Sequence, residues 1–86
     1  MTELAAFGNW AVTDKGVEHV KGQYRIIPKW ALYTKAVPEL AAYMARNTPW
    51  LRGDELFNLQ LAIRKARQLF GERECREALK CYGVKS

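Results

Sequence analysis

The sequence predicts an α+β fold in which an N-terminal antiparallel β-meander of three strands packs against about three C-terminal helices. Short alternating apolar runs separated by glycine-bearing turns occupy residues 10–27, as is typical of hairpins. Longer stretches with apolar residues at helical spacing follow in residues 28–82. Because the chain has 86 residues, 49% of them hydrophobic and 27% charged, we expect residues 1–86 to form a single small domain.

Three strands are predicted over residues 10–13, 17–20 and 23–27, and the last ends at Pro28, which cannot donate to a sheet. Two loops suit the first hairpin. A two-residue Lys15-Gly16 loop places six side chains on one face of the sheet, namely Trp10, Val12, Val17, His19, Tyr24 and Ile26. A three-residue Asp14-Lys15-Gly16 loop has better turn chemistry, but it moves Trp10 and Val12 to the opposite face from Tyr24 and Ile26. Because a buried apolar face fixes strand register, we favour the two-residue loop.

The remaining elements are predicted to be helical. Residues 28–33 form a short turn or helix opened by proline, and residues 38–46 form a helix that Thr48-Pro49 ends. The longest helix runs from its N-cap Asp54 to about Phe70, and Gly71 separates it from a last helix over residues 72–82.

The longest helix carries two apolar faces. One is predicted to be core and consists of Leu56, Leu59, Ile63, Ala66 and Phe70. Phe57 and Leu61 lie one turn apart, away from that face. Either the helix is sandwiched between two elements of its own fold, which we favour, or these two side chains face a partner.

The sequence argues against an enzyme. Its only serine is Ser86, so a Ser-His-Asp triad is excluded in practice. His19 is the only histidine, and we expect it to be a partly buried strand residue. The acidic pair Asp54-Glu55 begins a helix, where it complements the helix dipole without any catalytic role. The glycines match no nucleotide-binding loop. We therefore expect no catalytic residue and no cofactor.

The two cysteines, Cys75 and Cys81, are six residues apart in a predicted helix and point in different directions, so they cannot form a disulfide. With one histidine they cannot complete a zinc site unless carboxylates or a second chain contribute, and we expect no metal. No apolar run approaches the about 20 residues that cross a membrane, and residues 1–8 lack the features of a secretory signal. These observations favour a cytoplasmic protein without a membrane partner.

Basic residues predict a polyanionic partner. The chain has 14 Lys and Arg against 9 Asp and Glu, a net charge of +5. Residues 21–35 contain no acid and interleave their cations with Tyr24, Trp30 and Tyr33, as nucleic-acid phosphates and stacked bases require. The candidate nucleic-acid-binding residues are Lys21, Arg25, Lys29, Trp30, Lys35, Arg64 and Arg67. The alternative is that these rings fill the core and the lysines are merely solvated.

A protein partner is the competing prediction. Trp50 lies in a loop between two predicted helices, and Phe57 and Leu61 follow on the longest helix. Tryptophan is a frequent anchor of protein interfaces, so these three residues are the candidate protein-binding or self-associating surface. The alternative, which we slightly favour for Trp50, is that its ring fills the core beneath the loop.

The segment Asn9-Trp10-Ala11-Val12-Thr13-Asp14-Lys15-Gly16-Val17-Glu18 resembles the opening of a set of short, uncharacterised bacterial and prophage-type proteins with the pattern N-W-x-V-T-D-x-G-[ILV]-E. Tyr24-Arg25-Ile26 and the segment from Tyr43 to Trp50 are also similar to that group, whereas Pro49 and the helix from Glu72 onward differ from it. The resemblance covers about residues 9–70 and carries no assigned activity. It implies a small cytoplasmic accessory protein of a phage or mobile element. Together with the basic residues, it leads us to expect a non-catalytic module that binds nucleic acid or a nucleoprotein complex.

Overall fold

The computed structural model of the protein describes residues 3–20, 26–46 and 48–82. They form an α+β fold, a four-stranded antiparallel sheet followed by a 3-10 turn and two α-helices. The strands follow one another in the order β1-β2-β3-β4. The elements are β1 (Glu3–Phe7), β2 (Trp10–Thr13), β3 (Gly16–His19), β4 (Ile26–Pro28), the 3-10 turn (Lys29–Ala31), α1 (Val37–Arg46) and α2 (Asp54–Tyr82).

The sheet has four strands rather than the three predicted, because β1 precedes the expected meander. The sequence of β1, Glu-Leu-Ala-Ala-Phe, contains no β-branched residue, so its local pattern gives little strand signal. The strand is instead held by pairing with β2, in which Phe7 lies opposite Trp10. The turn between them contains Gly8 at φ +62°, a conformation that glycine adopts without strain.

The hairpin of β2 and β3 has a two-residue loop, but its residues are Asp14 and Lys15, so both predicted loops are wrong. Thr13 lies opposite Gly16 and Val12 opposite Val17. Compared with the register of the favoured Lys15-Gly16 loop, the pairing of β2 with β3 is shifted by two residues. Because side chains alternate between the faces of a strand, a shift of two leaves each side chain on its predicted face. The set on one face therefore includes Trp10, Val12, Val17 and His19 as predicted.

Gly16 explains this loop. Its φ is +135°, and a Cβ there would collide with the carbonyl oxygen of Ile27 on β4. Glycine is therefore needed inside the strand rather than in the turn. Ile27 lies opposite Val17 and is 2% exposed, so Ile27 belongs to the buried face, and Ile26 is paired with Glu18. Tyr24, the other residue predicted on that face, lies outside the described residues.

Two α-helices follow instead of about three. Gly71, with φ 81° and ψ 155°, interrupts α2 where the sequence predicts a helix break, and residues 72–82 continue beyond it. The Phe57 amide donates to the Gly53 carbonyl over 3.0 Å, so Asp54 is already inside the helix and is not its N-cap. No helix formed by the described residues is long and apolar enough to span a bilayer.

The core lies between the sheet and α2. Three residues of the predicted core face of α2, Leu59, Ile63 and Ala66, are fully buried. Leu56 and Phe70 are partly buried and pack against them. The sheet, the 3-10 region, α1 and the loop before α2 complete the core with Trp10, Val12, Val17, Ile27, Leu32, Leu40, Ala41 and Leu51. One side of α2 is thus covered, which leaves its opposite side to solvent.

Candidate functional site

The fold separates the predicted nucleic-acid-binding residues into several groups. Lys21 and Arg25 lie outside the described residues. Lys29 and Trp30 lie on the 3-10 turn, and Lys35 lies between that turn and α1. The other two predicted residues, Arg64 and Arg67, lie on α2.

Lys29 joins the 3-10 turn to the second half of α2. Its Nζ lies 2.6 Å from Glu74 Oε2 and 4.6 Å from the centre of the Phe70 ring. The ammonium group is thus balanced by a carboxylate of its own chain and packed over an aromatic face. These contacts give Lys29 a structural role and leave little of its charge for a polyanion.

Arg67 also contacts its own chain. Its Nε donates to the Leu32 carbonyl over 2.8 Å, and a terminal nitrogen donates to the Lys35 carbonyl. The guanidinium lies 4.7 Å from the centre of the Tyr33 ring, and the Tyr33 hydroxyl donates to the Arg67 carbonyl over 3.1 Å. Because carbonyls that end a helical turn need donors, Arg67 fixes the segment after the 3-10 turn against α2.

Lys35 remains exposed and lies beside an aromatic side chain on α1. Its Nζ is 5.8 Å from the centre of the Tyr43 ring, and Tyr43 is 54% exposed. Arg46, one turn further along α1, is also exposed. These three side chains line a shallow groove together with Glu39 and Ala42. The groove thus combines two cations with an accessible ring.

Five residues of α2 form a surface that we name the outer face of α2, namely Phe57, Gln60, Leu61, Arg64 and Gln68. At ~100° per residue these side chains fall within one arc, opposite the buried face. Phe57 is 61% exposed, so the predicted sandwich is wrong for this residue. Gln60 and Leu61 are partly exposed, and Arg64 and Gln68 are exposed. The sequence contains no acidic residue between Glu55 and Glu72, so the outer face of α2 carries positive charge only.

Trp50 is 41% exposed, so the favoured prediction that its ring fills the core beneath the loop is wrong. The ring instead lies against His19, with ring centres 4.6 Å apart. On another side the His19 ring meets the edge of Trp10 at 4.7 Å. The His19 side chain is only 5% exposed.

Glu55 connects this aromatic group to α2. Its carboxylate accepts from Asn9 Nδ2 over 2.8 Å and lies 3.2 Å from His19 Nε2. Its backbone carbonyl accepts from Trp10 Nε1 over 3.1 Å. Sequence reasoning assigned Glu55 only to the helix dipole and missed this role, because the partners are 36 to 46 residues away along the chain. The one available signal was the shared strand face of Trp10 and His19.

Cys75 lies at the bottom of a cleft and is 1% exposed. Burial, followed by the negative charge of Glu74, raises the pKa of its thiol. The group is therefore a neutral thiol at physiological pH, as suits a packing residue. Among residues 3–20, 26–46 and 48–82, no three His, Cys, Asp or Glu side chains are grouped so that they could hold a metal ion.

Comparison with known proteins finds no matching protein-family model, no matching curated protein and no matching solved structure. Function is therefore inferred from the side chains that this fold exposes and from those that it ties down.

Proposed function

We propose that the protein is a non-catalytic module that binds nucleic acid, alone or within a nucleoprotein complex, through the outer face of α2. The observation that carries this proposal is the exposure of Arg64 and Gln68, with Gln60 partly exposed, on a helix surface that has no acidic residue. A cationic helix face attracts a polyanion over a long range, and an α-helix fits the major groove of a duplex.

The residue types on the outer face of α2 suit both parts of such recognition. Arg64 is able to neutralise a phosphate or to donate two hydrogen bonds to guanine. Gln60 and Gln68 lie one turn from Arg64 on either side and present amides that pair with adenine edges. Phe57 offers an apolar contact at the same surface.

The groove of Lys35, Tyr43 and Arg46 is the second element of the proposed site. Its two cations would contact phosphates, and the exposed Tyr43 ring would stack on an unpaired base. Lys29 and Arg67 then act indirectly, because they hold the 3-10 turn and the following segment against α2. Phosphate contact is thus proposed for Lys35, Arg46 and Arg64.

The resemblance of residues 9–18 to short prophage-type proteins supports a biological setting for this proposal. A small accessory protein of a phage or mobile element, working in the cytoplasm, would meet nucleic acid and nucleoprotein complexes. The net charge of +5 agrees with such a partner.

A salt series tests the proposal. Fluorescence anisotropy is measured with labelled single-stranded and duplex oligonucleotides of 20 nucleotides between 50 and 300 mM salt. Because binding to phosphates releases counterions, we expect the logarithm of the binding constant to fall linearly with the logarithm of the salt concentration. No binding at the lowest salt, or a binding constant independent of salt, contradicts the proposal.

Protein recognition is the second candidate, favoured by the exposure of Phe57 at 61% and Trp50 at 41%. Because Arg64 lies two turns from Phe57 on the same face, two copies would bring like charges together, and a partner with acidic residues around an apolar patch fits better than self-association.

Two measurements separate the candidates. Sedimentation equilibrium is expected to show a monomer, for both the wild type and Phe57→Asp. A pull-down from native cytoplasm is run with and without nuclease. Loss of captured material after nuclease supports nucleic-acid binding. A discrete acidic protein that persists after nuclease, and that Phe57→Asp no longer captures, supports protein recognition.

A further inference from the structure

The cleft above Cys75 has the features of a ligand site and shares no residue with the outer face of α2. Its lining residues are Trp30, Tyr33, Thr34, Cys75 and Arg76. Its volume of about 280 Å³ is close to the lower end of small-molecule pockets. A single ring system with a short substituent fits this volume, whereas a large cofactor does not.

The aromatic wall is fixed in place. Trp30 lies in the 3-10 turn and Tyr33 two residues after it, and both line the cleft. The Tyr33 ring is held by its hydroxyl hydrogen bond to the Arg67 carbonyl and by the guanidinium that lies 4.7 Å from its centre. Both rings are only half-buried. A flat ligand would meet aromatic surface that is already ordered, which reduces the entropic cost of binding.

The polar groups of the cleft include both a donor and an acceptor. Arg76 is exposed and paired with Glu72, with 2.6 Å between Nη2 and Oε2, and its remaining N–H groups are donors at the edge of the cleft. The Thr34 hydroxyl donates to the Ala31 carbonyl over 2.7 Å, which leaves its oxygen lone pairs as acceptors. The Cys75 thiol forms an uncharged, polarisable floor.

From these observations we propose that the cleft binds a nucleobase, stacked on Trp30 and Tyr33 and hydrogen-bonded by Arg76 and Thr34. A nucleobase is the planar ring whose edge carries both acceptors and donors, as this pair of side chains requires. The base belongs either to a free nucleotide or to the unpaired end of a strand. The cleft shares no residue with the outer face of α2 or with the groove of Lys35, Tyr43 and Arg46, so it is tested separately from the proposed function.

The first test uses adenosine monophosphate and guanosine monophosphate as probes of the full chain. Trp50→Phe removes the most exposed tryptophan, and Trp10 is fully buried, so a change in tryptophan emission reports on Trp30. We expect saturable quenching by at least one nucleotide. The absence of quenching, and of heat in calorimetry, up to 10 mM of both nucleotides overturns the proposal.

Variants locate the site. Calorimetry is expected to show about tenfold weaker nucleotide binding for Trp30→Ala, since an aromatic stacking partner is lost. Thr34→Val keeps the shape of the side chain and removes the acceptor, and it is expected to weaken binding about fivefold. Trp50→Phe is expected to bind as the wild type does. Equal binding by Trp30→Ala and wild type, with unchanged circular dichroism, overturns the proposal.

The source of the base is resolved by two further probes, a single-stranded 12-mer and a blunt duplex. If Trp30→Ala weakens binding of the single strand and not of the duplex, the base comes from a strand. If it affects only the mononucleotides, the ligand is a free nucleotide. If the outer face of α2 does not bind nucleic acid, mononucleotides are still expected to bind in the cleft. If the cleft does not bind a nucleobase, Arg64→Ala is still expected to weaken oligonucleotide binding. The two proposals are therefore distinguishable.

Discussion

Glu55 in the first turn of α2 lies 3.2 Å, from its Oε1 to Nε2, from His19 at the end of β3. The same carboxylate accepts from Asn9, in the turn between β1 and β2. One side chain therefore fixes the beginning of the long helix against both the β1–β2 turn and β3. The position of α2 over the sheet, and with it the direction of its outer face, depends on this contact.

Replacement of Glu55 by alanine is expected to lower the free energy of unfolding by about 1–3 kcal/mol, because the partly buried Asn9 amide loses its acceptor and the His19 ring loses its contact with the carboxylate. Urea denaturation measures the change. Glu77→Ala is the control, since Glu77 is exposed on the same helix and its loss is expected to change stability by less than about 0.5 kcal/mol. Equal effects of the two substitutions contradict this role of Glu55.

Gly16 tests the register of the sheet. Gly16→Ala is expected to cost roughly 3 kcal/mol or more, because φ is +135° and the added Cβ collides with the Ile27 carbonyl oxygen. Gly53→Ala is the matched control. Gly53 also has a positive φ, +64°, but a Cβ there meets nothing within 4 Å, so the cost is expected to be about 1 kcal/mol. A Gly16 variant as stable as the Gly53 variant argues against the pairing of β3 with β4.

Substitution by lysine is expected to change the stability of the protein at Arg67 but not at Arg64. Arg67→Lys keeps the charge but loses the planar donor set on the Leu32 and Lys35 carbonyls, which is expected to cost about 1–2 kcal/mol in thermal or urea unfolding. Arg64→Lys, on the exposed outer face of α2, is expected to leave stability unchanged. Loss of stability in both variants shows that Arg64 also has a structural role.

The thiol of Cys75 gives a prediction for pH. Burial raises its pKa above the ordinary value of 9.0, so the unfolded thiol ionises first as pH increases. The contribution of the protonated Cys75 thiol to the free energy of unfolding is complete below pH 9. It is lost as pH rises from that value through the pKa of the thiol in the folded protein. In a Cys81→Ser background, Cys75 is expected to react with a disulfide reagent at least tenfold more slowly in the folded protein than in urea. Equal rates show that the cleft does not protect Cys75.

The sequence pattern was sufficient wherever a local signal decides the structure. Gly71 interrupts α2 as predicted, and the alternation of β2 and β3 places Trp10 and Val17 on one face even though the loop is different. The pattern failed for β1. Its alanine-rich sequence gives little strand signal, and the strand forms by pairing with β2, which follows it across a short turn.

The roles of the candidate site residues were also predictable only in part. Helical periodicity identified Phe57 and Arg64 away from the core face of α2, and both are exposed. The roles of Lys29 and Arg67 were not predictable, because Glu74 and the Leu32 carbonyl are brought to them only by packing of the 3-10 turn on α2. Charge alone therefore grouped residues whose contacts differ: Lys29 and Arg67 are bound within the fold, whereas Lys35 and Arg64 are exposed.

The most direct test of the central claim compares Arg64→Ala with Arg73→Ala in oligonucleotide binding over the salt series. Both arginines are exposed on α2 and both variants lose one positive charge, but Arg73 lies among Glu72, Glu74 and Glu77. We expect Arg64→Ala to weaken binding several-fold and to reduce the salt slope by about one, with little change for Arg73→Ala. Equal binding curves for the two variants contradict a nucleic-acid interface on the outer face of α2.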